Sequence, residues 1–427
     1  MKKLWPISLA LLVSASTYAT QSRLIALGLD ELDDEGSYYI EDERNMFLNP
    51  ATVALSGEFA VLEYGGKGRV LNPAEDGSAS VNQDGVNQTK AQGGVFRKSG
   101  EYTYGLYFGN ESNTSSFLRI ASSSFAGASE GAATGQANLL TTGDNQFDIF
   151  LAGGNEVKWG ANLLYSKDKN ESTSKKSKDH GYAVRYGMIA KNWSAHANIS
   201  LASKSVSTET VTFSGSLAGL GTQTYEQEFK GKLGAHIGGS YNTGMGKLYG
   251  FVKTFKWEQK DAVDYTAIGS DVGGTHKGEF TTYSLGWGNQ FKVNKVGTVF
   301  TNLQLKKVAV EIDFTKKTEI NRTEVPITVG YEHAANTWLT LRGSVTQNVY
   351  GVQDNKNYSN VNAVAQSLVA ATYGTEGKGT IANSTRVNAG ASLNFGDIKI
   401  DGVTGYSTGG TLETDELFTR AAMVYKF

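Results

Sequence analysis

Apolar and polar positions alternate along most of the chain from residue 57 to the end. In 384–395, for example, Val387, Ala389 and Ala391 share one face, while Arg386 and Asn388 share the other. A period of two predicts strands with one buried or lipid-covered face. The alternation predicts sixteen strands, at 57–65, 92–97, 101–109, 145–152, 157–166, 181–190, 193–202, 231–241, 247–257, 280–292, 296–310, 322–333, 337–349, 384–395, 398–406 and 418–427.

The connections between these strands are of two alternating kinds. Seven are short and rich in Asn, Gly and Asp, which tolerate tight hairpin turns; they lie at 98–100, 153–155, 191–192, 242–244, 293–295, 334–336 and 396–397. Eight are longer and polar, at 66–91, 110–144, 167–180, 203–230, 258–279, 311–321, 350–383 and 407–416. This asymmetry predicts an all-β, up-and-down antiparallel transmembrane barrel of about 16 strands, with periplasmic turns and outer loops. Two strand-like pieces, 117–123 and 206–213, are assigned to loops; if both crossed the membrane, the total would be 18.

The last strand shows the alternation up to the C-terminal residue. Phe427, Tyr425 and Met423 fall on one face, and Lys426 and Val424 on the other. A C-terminal aromatic residue on an alternating strand resembles the signal that the bacterial barrel-assembly machinery recognises. We therefore interpret Phe427, Tyr425 and Met423 as an assembly signal on a strand that closes the barrel against 57–65.

The alternation also predicts which side chains face the inside. A Lys or Arg that faces lipid at the membrane midplane costs about 2–4 kcal/mol, so the apolar face should meet lipid and the polar face the lumen. Sixteen strands enclose enough space for water, so an aqueous channel is expected unless something plugs it. The candidate pore-lining charges are Asp148, Lys158, Arg185, Lys306, Glu324, Glu332, Arg342 and Arg386.

Aromatic residues cluster near strand ends, where they suit the interfacial girdles of a membrane protein. The girdle candidates are Trp159, Tyr165, Trp193, Tyr241, Trp257, Trp338, Tyr406, Tyr425 and Phe427. One strand does not fit the scheme, because Lys253 shares a face with Tyr249, Phe251 and Phe255. Three explanations stay open: a lysine that reaches the membrane rim, a subunit contact, or a local water pocket.

Composition and the N-terminus place the protein outside the cytoplasm. The 427 residues include 51 Gly, 4 Pro and no Cys, and the net charge of −2 gives no basic surface for nucleic acid. Lys2 and Lys3, an apolar run at 4–13 and a Thr-Tyr-Ala cleavage site predict a signal peptide, 1–19. The predicted divisions are this signal peptide, an acidic periplasmic or lumen-plugging segment at 20–56, and the barrel at 57–427.

Residues 20–56 lack a sustained alternation and carry many acidic side chains, among them Glu35, Asp42 and Glu43. These residues do not have the spacing of a calcium loop, so we expect a solvated acidic face. No catalytic or metal site is expected. The five His are scattered, and neither a G-x-S-x-G elbow nor a P-loop is present. No enzyme activity and no cofactor are therefore predicted.

The connections at 110–144 and 350–383 are long enough to fold inward as a constriction. The second contains 361–373, which is small and apolar enough for a short packed helix.

Three family resemblances bear on function. The strand count, short turns and Phe427 are similar to the general diffusion porins, although the Pro-Glu-Phe-Gly-Gly constriction signature is missing. The segment from Ser22 to Gly28, the acidic spacer and Phe47-Leu48-Asn49-Pro50-Ala51 resemble the entry region of the long-chain fatty-acid transporter superfamily. That resemblance implies that Asn49, Pro50 and Ala51 belong to a plug. The combination also looks like the porin-like outer-membrane proteins of predatory Bdellovibrio, which implies a ring that can enclose lipid.

We therefore expect a porin-like channel in the outer membrane of a Gram-negative bacterium, passing small hydrophilic solutes and ions by diffusion. The first alternative is a substrate-specific hydrophobic transporter with an N-terminal plug, and the second is a structural or adhesive surface barrel. The expected partners are outer-membrane lipid and lipopolysaccharide, the barrel-assembly machinery, and further copies of the chain in a trimer or larger ring.

Overall fold

The computed structural model describes residues 20–29, 35–65, 91–110, 146–172, 175–212, 222–265, 270–313, 317–357, 376–381, 385–406 and 420–427. It has two short α-helices, α1 (Gln21–Ala26) and α2 (Val53–Ser56), and two 3₁₀ helices at Glu43–Phe47 and Pro50–Thr52. No helix in this part of the chain is long and apolar enough to cross a membrane. The strands are β1 (Phe59–Gly65), β2 (Ala91–Ser99), β3 (Tyr102–Phe108), β4 (Gln146–Gly153), β5 (Lys158–Glu171), β6 (Lys175–Ile189), β7 (Trp193–Thr212), β8 (Thr222–Gly231), β9 (Gly234–Asn242), β10 (Lys247–Tyr265), β11 (Ser270–Lys292), β12 (Gly297–Asp313), β13 (Lys317–Ala334), β14 (Leu339–Lys356), β15 (Gly377–Thr380), β16 (Thr385–Phe395), β17 (Ile398–Tyr406) and β18 (Arg420–Lys426).

These strands form one closed antiparallel barrel. The ring closes where β1 pairs with β18, from Phe59 opposite Lys426 to Gly65 opposite Arg420. Eighteen segments fill sixteen positions, because two positions are each occupied by two segments. β8 and β9 both lie between β7 and β10, and β15 and β16 both pair with β14. The predicted 16-stranded up-and-down barrel is confirmed.

The seven short turns lie where the alternation predicted them, but several longer connections are not loops. β7 continues to Thr212 and β10 to Tyr265, so the expected loops at 167–180, 203–230, 258–279 and 311–321 are largely strand. Backbone hydrogen bonds hold these extensions together without an apolar face, which is why hydrophobic periodicity missed them. Residues 206–212 extend β7 and add no crossing. The segments 117–123 and 361–373 lie outside the described residues.

The two faces of the barrel differ as expected. Large apolar side chains point outward and are exposed on the isolated chain, for example Leu285, Val329 and Leu341. Polar side chains such as Asn198 and Ser392 are buried on the inner face. A closed ring without free strand edges, covered by apolar side chains, is the kind of surface that a lipid bilayer requires.

The aromatic face of β10 lies inside the barrel. Tyr249, Phe255 and Trp257 are at most 5% exposed, and Lys253 shares this inner face. The prediction that Trp257 belongs to a membrane girdle was therefore wrong. The prediction assumed that an aromatic residue near a strand end faces lipid. An occupied lumen, however, buries aromatic side chains equally well.

The apolar core also lies inside the ring. Met46, Phe47 and Val53 of the N-terminal segment pack against Phe96 and Phe150 of the wall. The Phe47 ring meets Tyr107 edge-on, with centroids 4.9 Å apart. The barrel is thus packed like a core at this level, because a segment of the same chain fills it.

Candidate functional site

The described parts of the N-terminal segment, residues 20–29 and 35–57, enter the ring of strands and contact its inner wall. In α1, every residue is buried, including Gln21, Ser22 and Arg23. Thr20 caps the helix by accepting from the Arg23 backbone N–H, and its Oγ1 donates to Asp401 at 3.1 Å. A helix of six residues is marginal in water, so the surrounding wall stabilises it.

Arg23 ties the segment to the wall through a buried ionic network. Arg23 Nε lies 2.8 Å from Glu332 Oε2, and Arg23 Nη1 lies 3.1 Å from Asp42 Oδ2. Arg342 contacts the same Glu332 and also Asp401, at 3.0 Å. Three cations (Arg23, Arg342 and Lys399) thus balance three carboxylates (Asp42, Glu332 and Asp401). Removing one partner from such a network leaves an uncompensated buried charge, at a cost of about 3–5 kcal/mol.

Burial and neighbouring charge shift the pKa values of the segment's own ionisable groups. Burial raises the pKa of Asp42 to about 7, although Arg23 and the Arg44 N–H oppose the rise. For Arg23, burial lowers the pKa, but Glu332 and Asp42 more than offset it, so the guanidinium pKa is raised. Asp42 therefore changes charge near neutral pH.

Arg44 forms a second anchor, on β2 and β3 and the residues that follow β3. Its guanidinium donates to Asn110 at 2.8 Å, Tyr107 at 3.2 Å and Gln92 at 3.3 Å. It also lies 4.4 Å above the Phe47 ring centre, a favourable cation–π distance.

The Asn-Pro-Ala motif occupies the inner face of β5–β7. Asn49 caps the 3₁₀ helix by accepting from the Ala51 N–H, and its Nδ2 donates to the carbonyls of Met188 and Ala195. The wall is made of Gly160 and Gly187 here, and a Cβ at either position would overlap Pro50 or Asn49. The structure thus places Asn49, Pro50 and Ala51 against the wall inside the lumen.

Lys253 pairs with the same N-terminal segment. Its Nζ lies 3.5 Å from Glu35 Oε2, and His236 Nδ1 contacts that oxygen at 2.7 Å. Tyr38 Oη meets His196 Nε2 at 2.7 Å and His236 Nε2 at 3.3 Å. A lumen ion pair explains Lys253, so the membrane-rim explanation was wrong.

The acidic residues of the segment that the structure describes do not form a solvated face; Asp30, Glu31, Asp33 and Asp34 lie outside the described residues. Glu35, Asp42 and Glu43 are each under 9% exposed, whereas Glu41 is exposed. The expectation was wrong because their partners, such as Arg23 across the segment and His236 on β9, lie far away in sequence. Arg23, Arg44 and Tyr38 are further residues that sequence reasoning missed; Arg23 and Arg44, two cations within an acidic stretch, were the available signal.

The predicted lining charges all lie on the inner side of the barrel, but most are paired. Asp148 and Arg185 form a fully buried pair at 2.6 Å, separate from the ionic network. Glu332 and Arg342 belong to that network, and Arg386 Nη2 donates to the Gly28 carbonyl at 3.1 Å. Glu324 contacts Arg322 and lies opposite Lys306. Lys158 lies at the rim and donates to the Gly154 carbonyl at 2.7 Å.

A cavity of about 340 Å³ remains between the segment and the wall. Gly28, Leu29 and residues 35–39 line one side, and inner-face residues of β9, β10, β12, β13, β14 and β16 line the other. Among the described residues, no group of three or more His, Asp or Glu side chains could hold a metal ion.

No protein-family model and no curated protein sequence matches this chain. Among solved structures, a Pseudomonas aeruginosa FadL homologue is 12% identical, with 94% of this chain and 98% of that chain covered and a TM-score of 0.41. The Pseudomonas putida toluene transporter TodX is 11% identical, with 92% and 93% covered and a TM-score of 0.32. The ferric citrate transporter FecA is 6% identical, with 81% and 51% covered and a TM-score of 0.41. These structures are large β-barrels, and at such scores the likeness carries no argument about cargo or mechanism.

Proposed function

We propose that the protein is a substrate-specific outer-membrane transporter whose lumen is closed by its own N-terminal segment. Solute passes when that segment moves. The observation that carries the proposal is the buried network of Arg23, Asp42, Glu332, Arg342 and Asp401. A network that joins segment and wall across more than 300 residues of sequence holds a closure in place.

The filled lumen argues against an open diffusion channel for small hydrophilic solutes. That prediction assumed a water-filled bore, whereas residues 20–29 and 35–57 lie within the ring and pack against wall residues around it. The apolar exterior and the predicted signal peptide support the outer membrane of a Gram-negative bacterium as the location.

Single-channel conductance of the mature chain in planar bilayers tests the proposal. We expect the intact protein to show no large ohmic steps, and a variant lacking residues 21–55 to show them. Heat-modifiable gel mobility would establish that the deleted variant still forms a barrel. Large ohmic steps from the intact protein would contradict a closed lumen.

Because the deletion removes part of the packed core, a point variant provides a second route. Arg23→Met removes the guanidinium that joins Asp42 of the segment to Glu332 of the wall, and should raise the open probability at least tenfold. Glu41→Gln is the matched control, since Glu41 belongs to the same segment but its side chain is 75% exposed. Equal behaviour of the two variants would show that the network does not hold the segment.

The assembly partners stay predictions. They comprise a trimer or larger ring, a ring that encloses lipid, contact with lipopolysaccharide, and recognition by the barrel-assembly machinery. An adhesive or structural role is the remaining alternative to transport.

A further inference from the structure

One row of charged positions crosses the outer face of the barrel from strand to strand. On β5 to β8, the residues that stand directly opposite one another in this row are Lys167, His180, Lys204 and Lys230. On β10 to β13 the row continues with Glu258, Lys277, Asp313 and Lys317. The signs therefore alternate on one side of the barrel, whereas on the other side no acidic residue interrupts the basic ones. The group Lys167, His180, Lys204 and Lys230 is called the basic sector below.

The side chains of the basic sector point away from the lumen. Their neighbours along the four strands are buried on the inner face: Ser166, Asp179, Ser203, Ser205 and Phe229. Successive side chains of a strand point to opposite faces, so the basic sector lies on the outer surface. Lys167 and Lys230 are exposed there.

Nearby carboxylates do not neutralise this part of the outer face. The next two rows of β5 to β8 contain the charged residues Lys169, Lys176, Lys178, Glu171, Glu226 and Glu228. Glu171 pairs with Lys169 at 3.0 Å, and Glu228 with Lys204 at 2.6 Å. Six lysines thus face three carboxylates among the described outer-face residues, which leaves a formal excess of three positive charges without His180.

Other acidic residues nearby do not cancel that excess. At the β10 border, Glu258 pairs with Lys232 at 3.2 Å. Asp168 and Glu209 occupy strand positions that alternate with those of the outer rows. The connections 173–174 and 213–221 contain no acidic residue, and the whole connection 111–145 has three acidic residues and one arginine, a net charge of −2.

The two halves of the row differ in how they are stabilised. Opposite charges that face each other across neighbouring strands stabilise a sheet, whereas like charges in the same arrangement destabilise it. The half on β10 to β13 is therefore neutralised by its own residues. The basic sector gains the same stabilisation when an anion from outside the chain binds to it.

The basic sector lies at the edge of the lipid-facing surface. One row closer to the short turns, Tyr165 and Tyr182 stand opposite each other with ring centroids 5.3 Å apart, and aromatic residues of this kind mark membrane interfaces. Lys167 comes eight residues after Trp159, at the start of β5. At about 3.3 Å per residue and a tilt of about 40°, that distance is about 20 Å along the membrane normal, close to the apolar band of about 25 Å in such barrels. The sector is thus level with lipid headgroups on the loop side.

We infer that the basic sector binds lipids with a net anionic, phosphate-bearing headgroup, in the membrane leaflet on the loop side of the barrel. Lysine ammonium groups attract phosphate as point charges, and the headgroup lies against Lys167, Lys204 and Lys230. The acyl chains lie along the adjoining apolar surface, where Leu163 and Leu201 are exposed. A soluble anion would gain the charge interaction without this apolar contact, so a lipid fits the surface better. The inference goes beyond closure of the lumen and does not depend on it.

Native mass spectrometry of the purified full mature chain in detergent tests lipid binding. Dioleoyl phosphatidylglycerol is the anionic probe, and dioleoyl phosphatidylcholine has the same acyl chains on a headgroup without net charge. We expect the anionic lipid to bind at least tenfold more tightly, and millimolar inorganic phosphate not to displace it. Equal affinities of the two lipids would overturn the inference. Displacement by inorganic phosphate would show that a free anion suffices, which would overturn a lipid as the occupant.

A matched pair of double variants locates the binding. Lys167→Gln with Lys230→Gln removes two charges from the basic sector, whereas Lys277→Gln with Lys317→Gln removes two from the alternating half of the same row. The first should weaken binding of the anionic lipid at least tenfold, and the second should leave it unchanged. Heat-modifiable mobility establishes that both variants form the barrel. Equal losses would refute the assignment to this sector.

The same spectra report the number of chains in each particle. If the Lys167→Gln and Lys230→Gln variant loses oligomers while its affinity for the anionic lipid stays unchanged, the basic sector contacts a second copy of the chain and the lipid assignment is wrong. If its lipid affinity falls while the oligomeric state is unchanged, the lipid assignment stands.

Discussion

The buried carboxyl of Asp42 should make closure of the channel depend on pH. Its pKa is raised to about 7 by burial, while Arg23 opposes the rise; in a released segment the value would return to about 3.8. The docked segment binds the Asp42 proton more tightly than the released segment does, so protonation stabilises the docked form. This stabilisation is fully present below about pH 4 and is lost as the pH rises through 7. We expect the open probability in planar bilayers to increase from pH 5 to 8, by at most about tenfold per pH unit.

Asp42→Asn isolates this carboxyl from the others in the network. Asparagine can still cap the 3₁₀ helix at the Arg44 N–H, where Asp42 accepts at 2.9 Å, but it does not titrate. Subtracting the pH profile of the variant from that of the wild type therefore removes the contributions of Glu332, Asp401 and Lys399. An unchanged pH profile in Asp42→Asn would assign the dependence to those groups instead.

At the residue scale, sequence alone could place a side chain on a face but not find its partner. Arg185 and Arg342 were identified as inward-facing because strands have a period of two. Arg23 and Asp42 belong to a segment without any period, and Glu332 lies more than 280 residues away from both. Lys253 was ambiguous for the same reason, since its partner Glu35 belongs to that segment.

At the scale of elements, the fit of the Asn-Pro-Ala motif against β5 and β6 depends on glycine. A Cβ at Gly187 would overlap the Asn49 side chain, whereas at Gly181 on the same inner face the nearest atom would be 3.6 Å away. We expect Gly187→Ala to displace the motif and raise the open probability at least tenfold, and Gly181→Ala to leave it unchanged. Bilayer recordings of both variants provide the comparison, and identical traces would mean that the motif does not contribute to closure.

The closing strand should depend on its last residue. The Phe427 N–H donates to the Glu58 carbonyl at 3.4 Å, and the Phe427 ring lies beneath Arg97, 4.7 Å from its guanidinium. Deleting Phe427 should therefore reduce the folded fraction far more than Arg386→Met, which removes a single lumen charge. Heat-modifiable mobility of membrane fractions measures both, and normal insertion without Phe427 would refute its role as an assembly signal.

Elements with an apolar face were predictable from sequence, and those without one were not. The inner and outer faces of β16 separate cleanly, so its position was identified correctly. The outer parts of β7, β10 and β11 are polar on both sides and look like loops in sequence. The interruption between β8 and β9, at residues 232–233, is also hidden, because Leu233, Ala235 and Ile237 keep alternating across it.

For the whole molecule, the decisive feature is that one chain supplies both the barrel and the segment that fills it. Strand count and exterior followed from the alternation, which describes how each strand meets lipid. The contents of the lumen could not be predicted from the alternation, because a filled barrel and an empty barrel need the same apolar face toward lipid. Whether the segment moves as a unit can only be tested by restraining it.

A disulfide between α1 and the wall provides that restraint. The Ala26 Cβ lies 2.7 Å from the position of a Cβ added at Gly390, so a shift of about 1 Å reaches the usual Cβ separation of a disulfide. The chain has no other cysteine to interfere. In the conducting Arg23→Met background, we expect Ala26→Cys with Gly390→Cys to be silent when oxidised and to conduct again after reduction.

Each single cysteine variant in the same background controls for the substitutions and should conduct under both conditions. A segment that leaves the lumen as one body cannot do so while α1 is tied to β16, so current in the oxidised double variant would require another route for ions. Restored current on reduction would instead show that conduction depends on release of α1 from the wall.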